Sequence, residues 1–216
     1  MRTALVIGAH GRTGSRVVDE LVGAGWRVTG TGRLPEQADD LRKVGARGEV
    51  LDLLTATRDD FLGLMVGVEA IVYAAGSSAG ATPETVDRVD GEAIIRAVDA
   101  AVLAGVGRFV LISAHRTDED FGGDHVVRLL RAKRAADAHL RSTALDWTIL
   151  RPDALTEEPP TGAVRVGPIV PHGVLPRADL AHLIRVALES SSAVRRQLEV
   201  TGGVTPVDAA FEGLLR

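Results

Sequence analysis

Thr3-Ala4-Leu5-Val6-Ile7-Gly8-Ala9-His10-Gly11-Arg12-Thr13-Gly14-Ser15-Arg16-Val17-Val18 decides the fold. It opens on an apolar run rich in β-branched side chains, the pattern of a strand buried on both faces. Three glycines follow at G-x-x-G-x-x-G spacing, and a helical pattern then begins with Val17, Val18, Leu21 and Val22 on one side. Each glycine has a physical task. Gly8 lets the chain turn tightly off the strand, and Gly11 lets backbone N–H groups approach a pyrophosphate with no Cβ in the way. Gly14 lets the helix pack close to the strand. Arg12 and Thr13, inside the loop, are read as cofactor-binding with it. The helix N-terminus aims its unpaired N–H groups and positive dipole end at that pyrophosphate. Glycine also marks ordinary turns, but the order strand, glycines, helix is the context a nucleotide-binding loop requires. No G-x-x-x-x-G-K-[S/T] sequence is present, which disfavours a phosphate-transferring NTPase.

The remaining 200 residues fit one domain around this unit: a dinucleotide-binding core over 1–152 and a small carboxyl-terminal region over 153–216. Hydrophobic content of 45% with 25% charge reads as an ordinary globule. A net charge of −4 gives no basic footprint for nucleic acid. The lack of cysteine excludes disulfides and thiol catalysis and fits a reducing, cytoplasmic compartment. Met1-Arg2 runs straight into the first strand, leaving no room for a signal peptide, and no apolar run approaches the ~20 residues of a membrane helix. The six histidines are scattered, with no metal-ligand spacing, so no metal site is expected.

Along the chain, Trp26 to Thr31 reads as the second strand, and its end bears on the cofactor. An acid about 20 residues past the glycines holds the ribose hydroxyls of NAD. Here Thr31-Gly32-Arg33 offers an arginine instead, which suits a 2′-phosphate, and Arg12 adds a second cation. Both arginines read equally as solvated loop residues, but the pattern points to NADP(H). Gly48 to Leu53 is the third strand; Asp52 and Leu53 at its end flank an adenine, or Asp52 caps the next turn. Ala70 to Ala75 is the fourth strand, and Ala74, Ala75 and Gly76 are small where a dinucleotide crosses the sheet. Gly76-Ser77-Ser78-Ala79-Gly80 also matches the G-x-S-x-G elbow of serine hydrolases, with Ser78 as nucleophile. That elbow needs a helix immediately after the serine, and Gly80-Ala81-Thr82-Pro83 reads as loop. Glu84 to Ala104 is a long amphipathic helix, Arg108 to Ser113 the fifth strand and His125 to Ser142 a helix carrying Lys133. Asp146 to Pro152 is the sixth strand. Beyond it lie a turn-rich linker, short strands at Ala163–Val166 and Gln197–Thr201, a helix from Pro176 to about Ser190, and a last helix capped by Thr205 with Pro206 in its first turn. This tail is expected to fold over the nicotinamide end of the sheet.

Gly8 to Gly14, Asp87 to Ser113, Leu145 to Pro152 and Arg177-Ala178-Asp179-Leu180-Ala181 together resemble the atypical short-chain dehydrogenase/reductases, in particular the NmrA-like and flavin-reductase/biliverdin-reductase-like group. The resemblance spans nearly the whole chain. It implies an α/β Rossmann fold, a doubly wound parallel sheet of order 3-2-1-4-5-6, NADP binding, and a small carboxyl-terminal substrate region. Standard short-chain enzymes carry Tyr-x-x-x-Lys after a serine. Counting back four from Lys133 gives Leu129, which moves no proton, and the one tyrosine, Tyr73, falls in a buried strand. Lys133 then holds the nicotinamide ribose, or else pairs at the surface with Asp137. Ser113 matches the family's serine and orients an acceptor. His115 and Asp153, near strand ends, are weak proton-donor candidates, with surface or capping roles as the alternative.

The expected function is NADP(H)-dependent hydride transfer to a small acceptor such as a quinone or flavin, with Ser113 and Lys133 as the catalytic pair and Pro152 beside the cofactor. A non-catalytic NADP(H) sensor is the alternative, and the Ser78 hydrolase a remote one. No nucleic-acid or membrane partner is expected, and oligomeric state is left open.

Overall fold

A computed structural model describes residues 2–78 and 80–214. Met1, on which the expectation of no leader partly rests, and Ala79 of the Gly76–Gly80 motif lie outside the described residues. Strands β1 (Thr3–Ile7), β2 (Arg27–Gly32), β3 (Arg47–Val50), β4 (Ala70–Tyr73), β5 (Arg108–Ile112) and β6 (Asp146–Pro152) alternate with helices α1 (Arg12–Gly23), α2 (Pro35–Lys43), α3 (Arg58–Leu64), α4 (Pro83–Asp87), α5 (Ala93–Ala104) and α6 (Asp124–Arg141). All six strands pair in parallel, in the order β3-β2-β1-β4-β5-β6. The fold class read from the sequence is therefore observed.

Alternation along β1 builds both layers of the core. Ala4 and Val6 pack with Val17, Val18 and Leu21 of α1, whereas Leu5 and Ile7 pack on the other face with Phe61, Ile94 and Leu140. Leu5, Val6 and Ile7 are fully buried. Truncating one such residue to alanine costs about 2–5 kcal/mol, so this strand is fixed in register before any ligand is considered. Because the chain leaves β1 toward β2 on one side and β4 lies on the other, the sheet reverses its winding at the carboxyl end of β1. Open α/β sheets bind ligands at that crevice.

The carboxyl-terminal region divides into two parts. Strands β8 (Ala163–Gly167), β10 (Arg196–Gly202) and β11 (Thr205–Pro206) extend the sheet outward from β6, and helix α7 (Arg177–Glu189) packs beside α1, with Arg185 Nε 2.7 Å from Glu20 Oε1. Strands β7 (Ala154–Thr156) and β9 (Val174–Pro176) form a separate two-stranded sheet. This part and the segment before β9 lie at the strand carboxyl ends, bonded to Asp153 and His115.

Three expectations need correction. Thr205-Pro206 does not open a helix: these residues pair antiparallel with Val164 and Ala163, and only a 3₁₀ turn, Val207–Ala209, follows. A proline at the outer edge of a sheet gives up no interior ladder bond. The third strand stops at Val50, short of Leu53, because Leu54 N bonds to Asp52 and turns the chain. The long helix over Glu84–Ala104 is interrupted by a π turn, Arg88–Glu92, between α4 and α5. The buried Tyr73 hydroxyl donates to the Val89 carbonyl in that turn at 3.3 Å.

Candidate functional site

Gly8 and Gly14 are sterically required. Gly8 has φ +79°, and a Cβ there would lie 2.7 Å from Ala75. A Cβ on Gly14 would come 2.1 Å from the Gly8 carbonyl oxygen, so only glycine lets α1 start this close to β1. Gly11 differs: it is exposed, and a Cβ would meet only the Gly8 oxygen, at 3.2 Å. It caps α1 with no side-chain bond, and no acidic residue stands in the first turn of this 12-residue helix. The first N–H groups thus remain free to receive an anion. The sequence reading missed Thr31, whose buried Oγ1 accepts from Gly8 N at 3.0 Å and ties the loop to the end of β2. Its signal was a hydroxyl close to where NAD-binding units place an acid.

Arg12 and Arg33 are both exposed, and among the described residues neither guanidinium has an ion-pair partner. The Gln37 side-chain oxygen accepts from Arg33 N (2.6 Å) and Leu34 N, fixing the backbone that carries Arg33. Asp52 Oδ1 accepts from Leu54 N at 3.0 Å, the capping arrangement, while Asp52 and Leu53 stay partly exposed at the end of β3.

At the crossing point, Ala74 and Ala75 are partly exposed and Gly76 is exposed. A Cβ on Gly76 would lie 3.2 Å from Asp90 Oδ1 and 3.9 Å from Lys133 Nζ. Lys133 Nζ stands 3.1 Å from Asp90 Oδ1, with both side chains buried, and Ser77 N donates to Asp90 Oδ2 at 3.1 Å. Lys133 is therefore not the surface partner of Asp137. The π turn sets Asp90 against Gly76 and Lys133; π turns recur at functional sites because they re-aim side chains within a helix. Asp90 was legible in principle: an acid inside the apolar stripe between Val89 and Ala93 calls for a buried partner. Leu129, one turn before Lys133, is only partly buried.

Ser113 directly follows β5, and its Oγ donates to Asp137 Oδ2 at 3.0 Å. Asp137 also accepts from Arg151 Nε (3.0 Å) and Nη2 (2.9 Å), and Arg151 reaches on to Asp118. Burial pushes the Asp137 carboxyl above the ordinary carboxylate value, against the pull of Arg151. Arg151 in turn holds Asp118 below it. Pro152 is buried at the end of β6. Burial and the neighbouring Asp90 charge raise Tyr73 far above the phenol range, so it carries no proton chemistry at neutral pH. Ser78 is exposed, and α4 begins only at Pro83, so no nucleophile elbow forms there.

His115 and Asp153 come together with His172, a residue the sequence reading did not single out. His115 is buried, with Nε2 3.2 Å from Glu199 Oε2 and 3.3 Å from the Val170 carbonyl. Asp153 Oδ2 lies 3.0 Å from His172 Nδ1 and accepts from Gly173 N at 2.8 Å. A histidine in an irregular segment after proline carries no periodic signal, so only the fold brings it here.

A family described as NAD(P)H-binding matches residues 8–191. YhfK of Bacillus subtilis (strain 168), an uncharacterized sugar epimerase by name, is 29% identical over 211 residues, covering 97% of this chain and 98% of its own length. A solved Bacillus halodurans structure, assigned as an NAD-dependent epimerase/dehydratase, superposes with a TM-score of 0.91 at 30% identity, over 99% of this chain and all of its own. The anaerobillin reductase ChuY from Escherichia coli O157:H7 shares the fold, with a TM-score of 0.79 at 20% identity over 93% of this chain and 97% of its own. No helix among the described residues is long and apolar enough to cross a membrane. With the glycine loop, the switch point and this match in agreement, the chain belongs to the NAD(P)H-binding family and is an NAD(P)-binding protein of the atypical short-chain dehydrogenase/reductase type.

Proposed function

We propose that this protein is an NADPH-dependent reductase that passes hydride to a small acceptor such as a quinone or flavin. The observations that carry the reading are the glycine at Gly76 beside the buried Lys133–Asp90 pair and the uncapped start of α1. The residues fit a dinucleotide: the α1 N-terminus and Gly11 take the pyrophosphate, and Arg12 and Arg33 supply free cations for a 2′-phosphate. Asp52 and Leu53 flank the adenine, Ala74, Ala75, Gly76 and Pro152 line the crossing, and Lys133 bonds the nicotinamide ribose. When bound, the nicotinamide supplies the hydride; the protein positions it and excludes water.

Leu129 favours one kind of acceptor. It stands where the family's tyrosine would, and leucine moves no proton. Ser113 does not replace it as an acid, because its proton is committed to Asp137. General acid catalysis contributes about 10²–10⁴-fold, so acceptors whose reduction needs little proton assistance are favoured. Steady-state NADPH oxidation over quinones, flavins, a linear tetrapyrrole and simple ketones tests this. Quinone or flavin turnover should exceed ketone turnover, and Ser113→Ala should lower kcat with little change in NADPH binding. Fast reduction of an unactivated ketone by the wild-type protein overturns the reading, and NADPH binding without turnover of any acceptor leaves a sensor in its place.

A further inference from the structure

His115, Asp153 and His172 meet just beyond the carboxyl ends of β5 and β6. Each offers one ligand atom, and these atoms lie within 4.8 Å of one another. The two imidazole centroids are 4.9 Å apart. Neighbours set the tautomer of His115. The Glu199 carboxylate and the Val170 carbonyl beside its Nε2 only accept, so Nε2 carries the proton. In the neutral ring Nδ1 is then the lone pair, and it is buried and without a hydrogen-bond partner. A neutral imidazole with a carboxylate behind its other nitrogen is the arrangement that orients metal-ligating histidines. Asp153 contributes the carboxylate, its Oδ2 3.0 Å from His172 Nδ1 and 2.8 Å from the Gly173 N–H.

We propose that His115, Asp153 and His172 bind one late first-row divalent cation, with zinc as the reference ion. Two imidazoles and a carboxylate are the mixed nitrogen and oxygen set such ions take, and three protein ligands leave a position for water or an acceptor oxygen. Ligand atoms about 2.1 Å from one zinc sit roughly 3.4 Å apart, so the cluster must close somewhat. His172, with its side chain 61% exposed, is free to rotate for this. Arg116 is the opposing charge: its Nη1 lies 2.8 Å from His172 Nε2, and it has Glu119 to hold it when His172 turns away. The ion sits two residues past Ser113 and one past Pro152. On the hydride-transfer reading, this supplies a Lewis acid at the acceptor end, where Leu129 supplies no proton.

The test uses the full chain stripped with a chelator. Co²⁺ is titrated by its visible absorption, and Zn²⁺ by competition with a chromophoric chelator. One equivalent should bind. His172→Ala and His115→Gln should each weaken it by at least about tenfold, Arg116→Gln should tighten it, and His182→Ala, outside the cluster, should leave it unchanged. His172→Ala is the decisive variant, because loss of an exposed side chain leaves the core intact, which metal-free thermal unfolding checks. No binding, binding that survives both cluster variants, or binding lost with His182→Ala overturns the proposal. NADPH titration of the same samples keeps the two readings apart. NADPH binding without metal binding removes only the ion site, and metal binding without NADPH binding removes only the hydride-transfer reading.

Discussion

Lys133→Met removes the ammonium that faces Asp90 while nearly conserving volume. The Asp90 carboxylate then stays in a buried position with the Ser77 N–H as its remaining donor. Breaking one side of a buried pair in this way costs about 3–5 kcal/mol, a large share of the roughly 5–15 kcal/mol that holds a domain folded. Asp90→Asn combined with Lys133→Met removes both charges and keeps an acceptor for Ser77, so it should recover most of that loss. Binding should separate from stability. A charge-assisted bond from Lys133 to the ribose contributes about 1.5–3 kcal/mol, roughly a tenfold to hundredfold weakening of NADPH binding. The double variant should be restored in stability but not in binding. Urea unfolding at unchanged m-value measures the first quantity and titration calorimetry the second. The pairing argument fails if Lys133→Met unfolds at the wild-type midpoint, or if the double variant loses the sum of the single losses. The ribose role fails if the folded double variant binds NADPH as tightly as wild type.

Gly11→Val should abolish NADPH binding in a folded protein, whereas Gly14→Val should fail to fold stably, since its side chain would enter the Gly8 carbonyl; circular dichroism with calorimetry distinguishes them, and equal NADPH affinity in Gly11→Val would contradict the loop assignment. NADPH should bind more tightly than NADH, and Arg33→Ala should narrow the gap by about 1–3 kcal/mol; an equal loss for both cofactors would count against a 2′-phosphate contact. The folded-state pKa of Asp118 lies below its unfolded value because Arg151 bonds it. Its contribution to stability is therefore complete above the ordinary carboxylate pKa of about 3.9 and is lost as pH falls through the depressed value. Asp118→Asn should flatten the acid limb of stability against pH, and an unchanged slope would show that the Arg151 bond does not persist in solution.

What the sequence revealed depended on how local each cause was. β1 and the glycine loop were legible because periodicity and sterics act within sixteen residues, and the steric roles read for Gly8 and Gly14 agree with the lack of room for a Cβ at either. Thr205-Pro206 misled for the opposite reason. Locally it has the chemistry of a helix start, but Val164 and Ala163, forty residues earlier, present an open sheet edge, and pairing with them wins. β7 and β9, three residues each, are too short to show a period. Lys133 stands out from the family's serine and lysine pattern, and the surface alternative read for it was Asp137, because i,i+4 is the nearest choice on a helix. The π turn, which no propensity announces, brought Asp90 instead.

The fate of Asp137 shows how the site differs from one that moves protons. Freed from Lys133, this carboxylate is buried between Ser113 and Arg151, and Arg151 is balanced further by Asp118. Two acids around one buried guanidinium fix the Ser113 hydroxyl in a single role: it donates inward to Asp137, so toward the cleft its oxygen can only accept. Such an oxygen gives a substrate carbonyl no hydrogen bond, but it accepts one from an N–H or O–H edge. An oxidised flavin has such an edge at its ring N–H, whereas a quinone or a simple ketone offers only carbonyl oxygens. On the proposed hydride-transfer reading, the same network that removes Ser113 as an acid would favour, by hydrogen-bond polarity, a flavin over a bare carbonyl acceptor.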